Sequence, residues 1–183
     1  MNEIIKNLRK PLEAHQIEFR VQQVSAKGWA LLLAYKDARC DMQRLDDVVG
    51  PMNWRREHTR DNKNCIISIW DSEKSQWVSK EDTGTASNTE AEKGLASDSF
   101  KRAGFNWGIG RELYDYPVMW VQLQQNEFRV NGNKAETTFD FKLKEWVWFN
   151  QFDDDGNLLY LAAKHGEKLR FKWGTYKQSE QAA

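Results

Sequence analysis

Asp140-Phe141-Lys142 forms an Asp-x-Lys triplet, and Asp115 lies upstream of it. Two carboxylates and a lysine are the donor set of a Mg²⁺-dependent nuclease, the carboxylates holding the metal and the lysine orienting water. The same stretch, "TTFDFKL", also reads as a strand with Phe139 and Phe141 inward and Asp140 and Lys142 outward. Gly104, Gly108 and Gly110 spell G-x-x-x-G-x-G, which is neither nucleotide fingerprint, and they follow a helix where a nucleotide loop would precede one. "DDDGN" (Asp153–Asn157) opens like a calcium loop but lacks the downstream glutamate, so a hairpin turn is expected. Cys40 and Cys65 are far apart, with no histidine at ligand spacing, and read as free buried thiols. No metal, nucleotide or other cofactor is expected.

The remaining chemistry lies in "SFKRAGFNWGIGRELYDYP" (Ser99–Pro117). Lys101 and Arg102 sit in the last turns of an expected helix, where cations offset the negative end of the helix dipole. Beyond them come glycines, Trp107 and Arg111. Cations beside aromatics also suit a single nucleic-acid strand, with charge for phosphates and an apolar wall for bases. On pattern alone both readings stand.

The elements that must position these residues follow from periodicity. Ile4, Ile5 and Leu8 recur at helical spacing, and Pro11 permits a second short helical turn. "IEFRVQQV" (Ile17–Val24) alternates as a strand, and "WALLLAY" (Trp29–Tyr35) is a buried one. Asp37–Gly50 reads as a helix with Met42, Leu45, Val48 and Val49 on one face and Gly50 at its C-terminal cap. "NWRREHT", "NCIISIW" and "SQWVSKED" follow as short-linked strands of an antiparallel meander. The next helix opens near Thr89, which forms a capping box with Glu92, and runs to Arg102 or a little further, its end loosened by Gly104 and Gly108. Strands are then expected at "VMWVQL", "EFRVNG", "TTFDFKL", "EWVWFNQF", "LLYLAA" and "KLRFKWGTY". The fold class is α+β: an antiparallel β-meander packed with helices on one side.

The chain has 183 residues, with 27 basic and 27 acidic side chains, so any nucleic-acid face arises from arrangement and not bulk charge. Residues 1–80 hold 14 basic against 11 acidic side chains, a surplus of three that the rest of the chain cancels. No apolar run reaches membrane-spanning length and no signal-peptide core opens the sequence, which points to the cytoplasm. Residues 1–175 read as one domain, with 176–183 a polar, disordered tail.

Four blocks resemble a known family, the phage-type single-strand annealing proteins (recombinases) of the Rad-fifty-two superfamily. They are "KPLEAHQIEFRVQQV" (Lys10–Val24), "AYKDARCDMQRLDDVVGPMNW" (Ala34–Trp54), the Ile69–Asp71 strand, and "WVSKEDTGTASNTEAEKGLASDSFKRAGFNWGIGRELYDYP" (Trp77–Pro117). The last is the most specific, through E-x-E-K-G-x-x-S-D-x-F-K-R-A followed by W-G-I-G-R-x-L-Y. Together they cover about residues 10–117; residues 118–183, including the β-rich part 118–175, carry little family signature.

The resemblance implies a β-β-β-α core, assembly into an oligomeric ring, and a groove holding single-stranded DNA with its bases outward. It implies annealing of complementary strands in recombination and repair, in the host cytoplasm, without ATP or bond chemistry. Lys101 and Arg102 match the family's basic pair, Arg39 matches a basic residue opening the groove's other wall, and Arg111 belongs to the phage-type pattern. Phe105 stands where the eukaryotic relative has a further groove arginine, and the segment carrying its outer DNA site is shorter here. The implied partners are single-stranded DNA and the annealed duplex intermediate, further copies of the chain, and a host single-strand-binding protein or phage exonuclease. A nuclease, or a partner-binding module of the same fold without DNA binding, are the alternatives.

Overall fold

The computed structural model describes residues 2–85 and 91–177. The Thr89–Glu92 capping box lies outside the described side chains, as does the tail from 178 onward. The chain divides into two compact units, the first of residues 1–12 and 36–111, the second of residues 13–35 and 112–183. The architecture is mixed α and β, and every strand pairing whose register is defined is antiparallel. Among the described residues no helix is long and apolar enough to cross a membrane.

The first unit contains helix α1 (Asn2–Leu8), helix α2 (Ala38–Val49), strands β3 (Trp54–Thr59), β4 (Asn64–Asp71) and β5 (Gln76–Thr83), and helix α3 (Ala91–Trp107). The strands form the expected meander, ordered β3-β4-β5. Alternation decides what each face does. On β4, Cys65, Ile67 and Ile69 are fully buried and join Phe100, Ala103 and Trp107 of α3 in one core cluster. The neighbouring strand β3 extends that face: Trp54 stacks near Phe100 at 6.2 Å and Arg56 lies over the same ring at 5.0 Å. On the opposite face, Trp70 and Trp77 meet edge to face and Arg55 covers Trp77 at 4.4 Å.

The helices are tied at their ends. Asp37 caps α2 by accepting the Arg39 N–H at 2.7 Å, and Gly50 ends it with a positive φ of 83°. Arg44 of α2 donates to the carbonyls of Asn7 and Leu8 at the end of α1 and to those of Lys10 and Pro11 just beyond it.

α3 runs further than its glycines suggest. Gly104 does not loosen the helix; it is buried inside it, and a side-chain carbon there would collide with the Asp41 carboxylate of α2. The helix ends instead at Gly108, whose φ of 100° favours glycine. The Ile109 N–H returns to the Gly104 carbonyl (3.1 Å) and the Gly108 N–H to that of Phe105 (2.9 Å), a Schellman pair.

The second unit holds strands β1 (Ile17–Val24), β2 (Trp29–Lys36, whose last residue opens the first unit), β6 (Met119–Gln122), β7 (Phe128–Asn131), β8 (Lys134–Thr137), β9 (Val147–Phe152), β10 (Leu158–His165) and β11 (Lys168–Gly174). They form a five-stranded sheet, β6-β2-β1-β8-β7, and a three-stranded one, β11-β10-β9. Leu32, Met119, Val121, Trp146 and Leu161 lead its core. Arg170 forks onto Glu127 at 2.8 and 2.7 Å and lies 4.5 Å over the Trp146 ring. Burial alone would raise the Glu127 carboxyl, but the Arg170 hydrogen bonds and the Gln124 N–H hold it below the usual range.

One expected strand is absent. After β8, residues 138–142 turn into a short 3-10 segment (Leu143–Glu145). Phe139 is 86% exposed and not inward, whereas Phe141 packs on Trp146. The Thr138 side chain and backbone turn back to Asn126 and Glu127, which breaks the alternation. "DDDGN" does form the β9–β10 turn, closed by hydrogen bonds to the Asp153 carboxylate.

Alanine at a helical glycine ordinarily adds up to about 1 kcal/mol of stability. Gly104→Ala is expected to reverse that sign and cost roughly 1–3 kcal/mol through overpacking against Asp41. Urea unfolding of the two proteins measures it, and an unchanged or raised midpoint would contradict the close α2–α3 approach.

Candidate nucleic-acid interface

The four sequence-derived cations occupy three different settings in the first unit. Arg39 begins α2, with its side chain 85% exposed. Its guanidinium reaches back to Asp37, Nε to Oδ1 at 3.0 Å and Nη2 to Oδ2 at 3.3 Å. Those hydrogen bonds, with the charges of Arg39 and Lys101, hold the Asp37 carboxyl below its ordinary value. Lys101 lies on the half-buried side of α3 and is ion-paired with no carboxylate among the described residues, though its field reaches Asp37 and Asp41. Arg39 and Lys101 therefore both act on the Asp37 carboxylate.

Arg102 turns the other way. One residue along a helix rotates by about 100°, and Arg102 meets Asp82 of β5 at 3.4 Å. Asn106, one turn on, joins it by donating to the Glu81 carbonyl and the Asp82 carboxylate. Arg111 donates to the carbonyls of Phe105 (2.7 Å) and Asn106 (3.2 Å) at the end of α3.

Beneath Lys101 lies a buried ion pair. The Lys36 ammonium bonds to the Asp41 carboxylate and the Ile109 carbonyl, with both side chains essentially inaccessible to solvent. Burial pushes the Asp41 carboxyl up to about 6, against the opposing pull of Lys36. The Phe105 ring covers the ammonium at 4.1 Å. Phe105 thus shields a buried charge one turn after Lys101.

The helix-dipole reading shifts to other residues. With α3 continuing to Trp107, Lys101 and Arg102 lie six and five residues before its end, and its last turn contains no basic residue. The open carbonyls are met from outside the helix by Arg111 and by Lys80 of β5. Lys80 donates to the Asn106 carbonyl at 2.7 Å and lies 4.6 Å over the Trp107 ring. Sequence reasoning missed it. The available signal was its alternation with Val78 and Asp82, which puts a lysine on the inward face of β5.

The other candidate chemistry has no matching geometry. Asp140 accepts from Asn126 at 3.2 Å and the Lys142 ammonium lies over the Phe139 ring. Among the described residues no group of three His, Cys, Asp or Glu side chains is arranged to hold a metal. Cys65 is buried and its thiol is pushed up to about 11 by burial, while Cys40 is half-buried.

Comparison with known proteins gives the family. Residues 68–131 match the model of the Rad52/22 family double-strand break repair protein. The chain is similar to the single-stranded DNA-binding protein DdrA of Deinococcus radiodurans, 34% identical over 124 residues, 66% of this chain and 59% of that one. It is also 32% identical over 150 residues to DdrA of Deinococcus deserti, 80% of this chain and 71% of that one. The chain belongs to the Rad52/22 family. No solved structure matches it significantly. The family match begins in β4 and runs through α3, so it contains Lys80, Lys101, Arg102 and Arg111, while Arg39 precedes it.

If Lys80 and not Lys101 serves the dipole, the two lysines differ in stability. Lys80→Met is expected to cost about 1–2 kcal/mol, and Lys101→Met less than about 0.5 kcal/mol. Thermal unfolding at low salt measures both, and equal losses would restore the dipole role to Lys101.

Proposed function

We propose that this chain binds single-stranded DNA along the face formed by the start of α2 and the outer side of α3, and anneals complementary strands in recombination and repair. The observation that carries the reading is that Arg39, hydrogen-bonded to Asp37, and Lys101 both act on that carboxylate, within a member of the Rad52/22 family. The name of the DdrA relatives, single-stranded DNA-binding protein, supports the ligand.

The mechanism requires no bond to be made or broken and no ATP. Lys101, Arg102 and Arg39 attract phosphates without reading sequence. Two of these cations are already matched to carboxylates of the same chain, Arg39 to Asp37 and Arg102 to Asp82. A phosphate must compete for them, so each subunit grips weakly. A ring of subunits repeats the same few cations, and the contacts gain strength by multivalency. A complementary strand pairs with the exposed bases, and stacking of about 1.4 kcal/mol per step outweighs the few contacts released. The partners are single-stranded DNA and the annealed duplex intermediate, with a single-strand-binding protein or an exonuclease supplying the strand.

Lys101→Ala with Arg102→Ala is expected to abolish single-strand binding in a gel shift and annealing of labelled strands while the fold survives. Normal annealing by the double variant at low and moderate salt would falsify the assignment. Asp37→Asn with Asp82→Asn is expected to do the opposite. Asparagine keeps the α2 cap while the arginines lose their competitors, so affinity for oligo-dT should rise several-fold at fixed salt. No change, or weaker binding, would show that these carboxylates position the arginines and do not compete for them.

A further inference from the structure

The C-terminal end of α3 carries more positive charge than a helix end requires. Lys80 and Arg111 converge on one oxygen, the Asn106 carbonyl, at 2.7 and 3.2 Å, and Arg111 also spans the Phe105 carbonyl through Nε and Nη2. Arg9, from the segment after α1, lays its side-chain stem where a Gly108 side chain would stand. Burial, followed by the charges of Arg111 and then Arg9, lowers the Lys80 pKa. Both arginines therefore act on Lys80.

A helix C-terminus presents about half a negative charge. Lys80 and Arg111 already answer it, and the Arg9 guanidinium makes no hydrogen bond among the described residues. None of the three is ion-paired with a carboxylate among the described residues, in contrast to Arg39–Asp37 and Arg102–Asp82. Arg9 and Arg111 are exposed, and the site lies more than a helical turn beyond Lys101. The Arg9 fork, unbonded among the described residues and set beside the Arg111 guanidinium and the Lys80 ammonium, suits an oxyanion with several acceptor oxygens.

We propose that Arg9, Lys80 and Arg111 form a second phosphate-binding point, separate from the α2–α3 face, that takes the backbone of the same DNA strand. The strand assignment rests on the DNA reading above; the oxyanion chemistry does not. Backbone contact at this point adds affinity without sequence preference.

Arg9→Gln in the full chain tests it, since this side chain caps nothing. Binding of oligo-dT and of a mixed oligonucleotide is measured across a salt series. For each, the slope of log affinity against log salt should fall by about 0.7. In parallel, pyrophosphate should raise the Tm of the wild-type chain and not that of Arg9→Gln. Arg111→Lys, which keeps a charge but loses the fork, should lie between the two. An unchanged slope with no Arg9-dependent pyrophosphate shift overturns the proposal. A pyrophosphate shift with an unchanged slope overturns the strand assignment and leaves a free-anion site. If the Lys101/Arg102 double variant still binds DNA while Arg9→Gln loses slope, the α2–α3 reading fails and this one stands. The reverse pattern leaves the α2–α3 face and removes this point.

Discussion

The first unit is organised around the buried Lys36–Asp41 ion pair. Lys36 reaches the first turn of α2 at Asp41 and the exit of α3 at the Ile109 carbonyl, so one ammonium joins the two ends that bound the proposed DNA face. Gly104 makes the contact possible, because only a residue without a side chain lets α3 approach the Asp41 carboxylate. A buried pair of this kind contributes little net stability, since desolvation opposes the attraction. Breaking it is expensive, however, because it strands a charge. Its effect is therefore to fix one relative placement of α2 and α3, and with it the distance from Arg39 to Lys101.

The cations around that pair divide into two kinds. Arg39 and Arg102 are held by carboxylates of their own chain, whereas Lys101, Arg9, Lys80 and Arg111 are not ion-paired among the described residues. Internal pairing orients an arginine fork and weakens its hold on an incoming phosphate. For a protein proposed to release a strand once its complement has paired, a modest grip per subunit is an advantage. Net charge is zero over the whole chain, so the positive field is a matter of where the pairs stand.

Much of this was legible in the sequence, and the misses have physical causes. The three-stranded meander and α2 follow from alternation and caps, and they stand within a residue or two of their expected bounds. Lys101, Arg102 and Arg111 were visible because aromatics and glycines surround them. The end of α3 was misplaced because a glycine inside a helix looks the same in sequence whether it breaks the helix or admits a neighbour. Gly104 does the latter, for a carboxylate 63 residues away in sequence. The "TTFDFKL" strand failed because a side chain-to-backbone hydrogen bond from Thr138 competes with alternation. Lys80 and Arg9 escaped notice because both lie far from Arg111 in sequence, and only folding brings them to it.

Phe105 shows how the buried pair constrains the surface. The resemblance to the annealing family places an arginine of the eukaryotic relative at this position. In this chain the Phe105 ring lies over the Lys36 ammonium, shielding a charge that water does not reach. A cation there would face a like charge across a poorly hydrated gap, where repulsion is far stronger than at the surface. Once Lys36 is buried, position 105 favours an aromatic, whose ring face attracts the ammonium. Positive charge is then available only to either side of it, at Lys101 and Arg102 before the ring and at Arg111, with Lys80 and Arg9, beyond it. The aromatic at 105 is thus a consequence of one buried lysine, and along α3 it stands between Lys101 and the cluster at the helix end.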